Sequence, residues 1–471
     1  MENIIAQQLV KMQEKILGKI QEDGLENIGQ TAEALYETLK EGTCELLQAI
    51  LEATDAEIAK ATRERKQDGL RIKERNVVRR LITSLGEIEY RRTYYETSGG
   101  EYVYLLDHLI GVEPYERVSK ALCAKLVNLS AEMSYGKSGR HGNAEVSRQT
   151  VSNKVNGLRE VVQDVTRAEH TPEELHIFAD EDHVHMKDGR NAIVPLVTIT
   201  EGIDTSNPKR HTLINPLHIA GYGMEADAFD DQVEACVNER YDINAMKHIY
   251  IHGDGASRIA KLGERFPNAS HVLDGFHMEK YLKKLGHYNG AAQRMGALRA
   301  ALRDGNWKTY KKLLEDIYAL QTGKDREGCK KIIRYLWNNR QAAHLRYDPN
   351  ICGSCTESLV SHVLSERLSR TPLAWSEQGL KKMTMLVVYR KNGQKVTAKD
   401  IRVSITADEQ EQEDLSLRDG WSKYNNYMNR QIDLILETDW ANAFQRQTLS
   451  FGKVDAAYLI RKSFGALRSV V

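Results

Sequence analysis

Residues 175–186 read LHIFADEDHVHM, an apolar run that becomes acidic at Asp180. Two more runs rich in apolar and β-branched residues follow, NAIVPLVTITEG at 191–202 and HTLINPLHIAG at 211–221. Short runs of this kind, separated by polar links, are typical of β-strands. We therefore predict three consecutive strands, the first of which ends in acidic residues.

Two further strands are predicted downstream, each preceded by a helix. A helix near residues 224–240 leads to HIYIHGD (248–254), and the helix ASRIAKLGERF (256–266) leads to SHVLDGF (270–276). The resulting order, βββ-α-β-α-β, favours an α/β fold in which helices cover a mixed sheet.

Acidic residues stand at the ends of two of these strands. Asp180 ends the first apolar run, and Asp254 ends the fourth. Ligands of open α/β sheets gather outside the carboxyl ends of strands, and carboxylates are hard donors that suit Mg²⁺ or Mn²⁺ better than zinc. A third carboxylate allows two ions to act in displacement at phosphorus. This pattern indicates a polynucleotidyl-transfer site on a ribonuclease-H-like sheet.

Two residues compete for the role of third carboxylate. Glu279 directly follows the last strand, whereas Glu357 begins a later predicted helix. We favour Glu357, because residues 286–350 are helical in pattern and then form an insertion within the α/β region. Asp182 shares a strand face with Asp180 and is the alternative to it as a ligand.

The sequence pattern divides the rest of the chain into further predicted regions. Residues 1–80 are predicted to be a helical region, in which residues 61–80 are strongly basic. The interval 81–170 is predicted to hold a hairpin, turned at Ser98-Gly99-Gly100, and a DNA-binding region of helix-turn-helix type. The predicted catalytic domain comprises 171–285 and 351–400, with a further strand at MTMLVVYR (383–390). A helical tail is predicted over 401–471, with an acidic stretch at 408–414.

The helix-turn-helix pattern lies in AEVSRQTVSNKVNGL, residues 144–158. Ser147 is a suitable N-cap, after which apolar and polar residues separate onto two sides. The exposed side is a candidate for reading DNA, and a plain core helix is the alternative. The candidate DNA-binding residues on it are Arg148, Gln149, Ser152 and Asn153.

The composition limits how this protein can bind DNA and where in the cell it is expected. The chain has 471 residues with 66 basic and 66 acidic side chains, so any DNA-binding surface must be local. No apolar run is long enough to span a membrane, and the first residues lack the pattern of a signal peptide, so we expect a cytoplasmic protein.

Zinc is not expected from the sequence. Cys352 and Cys355 form the one CxxC, which supplies half of a tetrahedral site, and no second pair lies nearby. His183, His185 and His252 flank the strand-end acids, but no HExxH or similar ligand pair is present. Ordinary half-buried thiols are the expected outcome.

Several linked strings resemble DDE-type transposases of bacterial insertion sequences. The closest resemblance is to the ISLre-two group, long filed as an uncharacterised protein family, with a more distant similarity to Mutator-type transposases. The chain departs from the group's pattern at Ser358 and in residues 370–374, but it keeps the acid and Trp375. The strings are ADEDHVH (179–185), HGDGASRI (252–259), FPNASHVLDGFHMEKYL (266–282), CTESLVSHVLSERLS (355–369) and LAWSEQG (373–379).

The resemblance implies a cut-and-join enzyme for the ends of its own element. By position, Asp180, Asp254 and Glu357 match the three catalytic acids, which would bind Mg²⁺ or Mn²⁺. Asp274 and His277 match a strand-end motif of related groups; His277 either contacts the scissile phosphate or caps a helix. Trp375 either stacks on a base at the transposon end or is buried.

The expected partners are the terminal inverted repeats and target DNA, with a homodimer or larger assembly pairing two ends. Two rivals remain open. One is a DNA nuclease with the same acids, and the other is an inactive domesticated copy that only binds DNA.

Overall fold

The computed structural model describes residues 2–23, 28–141, 145–158, 163–255, 257–370 and 373–401. Their contacts divide the chain into two compact units. The N-terminal unit comprises the described parts of Met1–Val127 and Tyr135–Arg159 and the described residues from Val396. The sheet unit comprises the described parts of Asn128–Ser134 and Glu160–Lys395.

The first part of the chain forms helices around a three-stranded antiparallel sheet, in the order β1-β2-β3. Tyr90 and Tyr95 of the sheet are fully buried, and they pack in clusters that contain Leu51 and Ile58. The elements are α1 (Glu2–Asp23), α2 (Ile28–Lys60), α3 (Thr62–Gln67), β1 (Arg71–Ile82), β2 (Glu87–Glu96), β3 (Tyr102–Val103), α4 (Leu105–Leu109), α5 (Lys120–Ser130), α6 (Tyr135–Gly139) and α7 (Arg148–Asn156).

One detail of the N-terminal prediction was wrong. The helical pattern ends at Gln67, and residues 71–80 belong to β1, which pairs with β2. Most of β1 is exposed, so it lacks the apolar alternation that marks a half-buried strand. The hairpin predicted with its turn at 98–100 is confirmed, because β2 and the short β3 form an antiparallel pair on either side of that turn.

The sheet unit contains a mixed five-stranded sheet, which confirms the α/β prediction. Its order is β10-β9-β4-β5-β8; β4, β9 and β10 run parallel, whereas β5 is antiparallel to both of its neighbours. The elements are β4 (Glu174–His185), β5 (Asn191–Thr200), β6 (Ile203–Asp204), β7 (Thr212–Leu213), β8 (Leu217–Ala220), α8 (Ala226–Arg240), β9 (His248–Gly253), α9 (Ser257–Glu264) and β10 (Ala269–Leu273).

The third predicted strand is broken in two. Asn215 has a positive φ of 47°, and Pro216 has no N–H to donate to a sheet. As a result β7 pairs with β6 in a small separate sheet, and only β8 joins the main one.

Helices follow β10, as predicted for residues 286–350, and those from α10 to α14 enclose a core of their own. They are α10 (Gly275–Gly286), α11 (Met295–Arg303), α12 (Trp307–Ala319), α13 (Gly323–Asn338), α14 (Arg340–Leu345), α15 (Thr356–Val360), α16 (Glu366–Leu368) and α17 (Glu377–Lys391); a π-helical turn at Ser361–Ser365 joins α15 to α16, and 3₁₀ turns lie at Ile243–Ala245, Ala292–Arg294 and Ala398–Asp400.

The strand predicted at residues 383–390 was wrong, because this stretch lies inside α17. Ser376 caps the helix by accepting the N–H of Gly379 at 3.2 Å. A short apolar run does not distinguish a buried helix from a buried strand, and here the buried positions fall at helical spacing as well.

Two further points complete the description. Within the described ranges, no helix is both long enough and apolar enough to cross a bilayer. The predicted acidic stretch at 408–414 and all but the first residue of the predicted helical tail, 401–471, lie outside the described residues.

Candidate active site

Adjacent parallel strands carry the first two predicted acids to one edge of the sheet. Phe178 of β4 pairs with His252 of β9, so Asp180 and Asp254 lie two residues further along the two strands. The chain turns at once after Asp254 through Gly255, whose φ is +83°. A Cβ at this position would lie 2.7 Å from Oδ1 of Asn339, so the turn requires glycine.

Asp274 anchors the segment that carries the third predicted acid. It caps α10 by accepting the N–H of Phe276 at 2.7 Å and that of His277 at 3.3 Å. Its other oxygen accepts hydrogen bonds from the hydroxyls of Ser354 and Thr356. Thr356 immediately precedes Glu357 and Ser354 lies three residues before it, so Asp274 connects the start of α15 to the end of β10.

His277 lies between Asp274 and Glu357. Its Nδ1 is 3.7 Å from Oδ1 of Asp274, and its Nε2 is 3.9 Å from Oε1 of Glu357. The carboxylate of Asp274 raises the pKa of His277, and the charges of Asp180 and Asp254 add to this effect. The helix begins at Gly275 with Asp274 as its cap, so the alternative that His277 caps the helix was wrong.

The pKa of Asp274 itself lies below its usual range. Burial alone would raise this pKa, since the residue is 3% exposed. Hydrogen bonds from His277, Ser354 and Thr356 outweigh burial and hold the group in its charged form. Asp274 is therefore a saturated acceptor that organises its neighbours.

The three predicted acids share one electrostatic environment. Burial, with smaller contributions from the negative charges of Glu357 and Asp254, raises the pKa of Asp180 to about 6. Like charges that act on one another in a half-buried place favour a cation.

Glu279 and Asp182, the two alternative candidates for metal ligands, have partners within the protein. Glu279 forms a bidentate ion pair with Arg299, with N–O distances of 2.5 and 2.8 Å. Asp182 is 7% exposed and accepts a hydrogen bond from the Ser369 hydroxyl at 3.0 Å. These contacts favour Glu357 and Asp180 as the candidates.

Trp375 is 6% exposed, and its indole N–H donates to the Leu368 carbonyl at 2.9 Å, so it is a buried residue.

The predicted DNA-binding helix is present as α7. Ser147 caps it by accepting the N–H of Thr150 at 3.1 Å. Arg148 and Gln149 are exposed, Ser152 is half-buried, and the predicted packing side is buried: Val151, Val155 and Leu158. The helix thus presents the expected polar face.

Residues 61–80, the basic segment, offer fewer side chains for contact with DNA than the sequence indicated. Arg65 is buried and donates to the Ala59 carbonyl at 2.6 Å. Arg79 donates to two backbone carbonyls, and Arg80 pairs with Glu89 at 2.7 Å. Arg71 and Arg75 remain exposed on β1.

Residues 21–403 match the Uncharacterised protein family (UPF0236). The chain belongs to this family. A UPF0236 protein of Caldanaerobacter subterraneus subsp. tengcongensis, whose name joins eleven locus designations, is 34% identical over 401 residues, which cover 83% of this chain and 84% of the relative. A second UPF0236 protein of the same organism, whose name joins four locus designations, is 33% identical over 401 residues. These residues cover 83% of this chain and 84% of the relative.

A more distant member of UPF0236 comes from Streptococcus gallolyticus. It is named "UPF0236 protein in vanSb 3'region" and is 24% identical over 335 residues, which cover 67% of this chain and 73% of the relative.

Sequence reasoning missed the part that Ser354 and Thr356 play in this UPF0236 chain. Two hydroxyl residues, Ser354 within the CxxC and Thr356 between the CxxC and Glu357, were a visible signal, but their acceptor lies far away in sequence. Only the fold shows that Asp274 receives both.

Proposed function

We propose that this chain is a DDE-type transposase that cleaves the ends of its own insertion sequence and joins them to target DNA. The observation that carries the proposal is that the negative charges of Asp254 and Glu357 both act on Asp180. Asp180 lies on β4, Asp254 follows the parallel strand β9, and Glu357 lies on α15. The strand order and directions described above agree with those expected of a ribonuclease-H-like sheet, and this agreement supports the proposal.

The family comparison adds a second line of support. One relative's name joins eleven locus designations in a single genome, and another joins four. Near-identical genes at many loci are what a self-copying or self-moving element produces. A housekeeping enzyme rarely shows this distribution.

The residues have distinct roles in the proposed reaction. Asp180, Asp254 and Glu357 would hold Mg²⁺ or Mn²⁺, which supplies Lewis-acid stabilisation and lowers the pKa of an attacking water. His277, with a raised pKa, places positive charge beside Glu357 where a scissile phosphate would lie. The exposed face of α7 and the exposed arginines of β1 would bind the terminal repeats.

A strand-transfer assay tests the proposal. The full chain is mixed with a labelled duplex from the DNA flanking its reading frame, an unlabelled target and Mg²⁺. Joined product from both an uncut and a pre-cut end supports a transposase. Cleavage without joining of the pre-cut end would identify a nuclease, and binding without either reaction would identify an inactive copy.

A further inference from the structure

A second group of ligand-type side chains lies beside the carboxylates. It consists of His176 on β4, His252 on β9 and Cys352 in the segment before α15. One ring nitrogen of each histidine and the Cys352 sulfur all lie within 4.8 Å of one another. Nδ1 of His176 is 3.1 Å from Nε2 of His252.

Packing holds both imidazole rings in place. His252 is fully buried and stacks on Phe178 with ring centroids 4.4 Å apart, and His176 is 4% exposed and stacks on Tyr250 at 5.2 Å. Burial lowers the pKa of His176 to about 4. This ring is therefore neutral at neutral pH, which is the form that binds metal ions.

The donor set selects the class of metal. Two imidazoles and one thiol are borderline-to-soft ligands, which suit zinc and disfavour Mg²⁺. In tetrahedral zinc sites with Zn–N distances of about 2.0–2.1 Å, two ligating nitrogens lie about 3.3 Å apart. The observed 3.1 Å is close to that separation.

We propose that His176, His252 and Cys352 bind one Zn²⁺ ion, in a site separate from the three carboxylates. Binding forms two N–Zn bonds and one S–Zn bond, and the thiol proton of Cys352 is released to solvent. Three protein ligands leave a fourth coordination position.

The site would connect the three segments that carry the acids. His176 precedes Asp180 on β4, and His252 precedes Asp254 at the end of β9. Cys352 lies five residues before Glu357. A bound ion would therefore fix the segment before α15 to the sheet. This positioning role rests on the proposed function, whereas zinc binding itself does not.

Metal analysis of the purified full chain tests the site. After dialysis against Zn²⁺ and then metal-free buffer, we expect about one zinc per wild-type chain. Co²⁺ in its place should show a sulfur-to-cobalt charge-transfer band. Cys352→Ser should lose both signals, and His176→Asn should weaken zinc binding at least tenfold. Cys355→Ser and Cys44→Ser, two other half-buried thiols, should retain both.

Circular dichroism would verify that each variant is folded. Zinc retained by a folded Cys352→Ser variant, or absent from wild type, would overturn the site. Asp180→Asn serves to separate the two proposals, because it should lose cleavage and keep its zinc. Failure of the wild type to cut or join DNA would leave the zinc result standing.

Discussion

The Thr356 hydroxyl donates a hydrogen bond to the buried carboxylate of Asp274. Thr356 is the residue before Glu357, and Asp274 is the residue after β10. The contact therefore connects the third candidate acid to the sheet, and it makes Thr356 a positioning residue.

Thr356→Val should misplace Glu357 and reduce DNA cleavage by about 10–100-fold, because small displacements of reacting groups are costly. Loss of a donor to a buried charge should also lower the free energy of unfolding by about 1–3 kcal/mol. Thr356→Ser keeps the hydroxyl and should restore cleavage. Equal cleavage by the two variants, in single-turnover assays, would show that this hydrogen bond does not position the acid.

Asp180→Asn, Asp254→Asn and Glu357→Gln should each abolish cleavage of an end substrate and leave end binding within a fewfold of wild type, because the acids act on the chemistry. Glu279→Gln is the matched control, since that carboxylate pairs with Arg299. Cleavage and gel-shift assays on the same preparations provide the measurement. Normal cutting by Glu357→Gln with none by Glu279→Gln would reverse the assignment of the third acid.

Mg²⁺ should stabilise the folded wild-type protein, because a bound cation offsets both the burial and the repulsion from Glu357 and Asp254 that raise the pKa of Asp180. At a concentration one hundred times the dissociation constant, the gain is about 2.7 kcal/mol. Thermal unfolding with and without Mg²⁺ should show this gain in wild type and little of it in Asp180→Asn. An equal shift in both proteins would mean that the ion binds elsewhere.

DNA binding should weaken as salt rises. Each phosphate contact that is removed should reduce the log–log slope by about 0.9. Arg71→Ala and Arg75→Ala, both on the exposed part of β1, should each show this reduction. Arg148→Ala should also lower discrimination between end and random DNA if it contacts a base. Affinity that does not change with salt would exclude these segments as the DNA-binding surface.

Acid should destabilise the protein partly through His218. Burial lowers the pKa of His218 to about 4, whereas the unfolded value is near 6.5. The unfolded chain then binds more protons between these values, so the contribution to stability is complete above pH 6.5 and is lost as the pH falls towards 4. Over this interval the loss is about 2–3 kcal/mol.

His218→Gln should flatten the dependence of unfolding free energy on pH between 4 and 6.5. His287→Gln, at an exposed histidine, is the control and should leave it as in wild type. Denaturant titrations at several pH values measure the slope. An unchanged slope in His218→Gln would show that this imidazole does not carry the effect.

Local pattern was sufficient for much of the fold. Alternation and β-branched runs predicted β4, β5 and β9, and helical spacing predicted α8 and the helices of residues 286–350. These elements have clear apolar faces. The pattern failed at β1, which is mostly exposed, and at α17, where a dense apolar run suits either element.

The sequence by itself identified the candidate acids, because apolar runs become acidic at Asp180 and Asp254. Only Asp254 follows a strand end; β4 continues past Asp180 to His185, so the end predicted at Asp180 was wrong. Tertiary structure alone provides the contact that favours Glu357 over Glu279, since Glu279 pairs with Arg299. Tertiary structure also brought Cys352 to His176 and His252. Sequence spacing does not reveal such contacts. Residues that lie far apart along the chain become neighbours because parallel strands and an intervening helical insertion place them side by side.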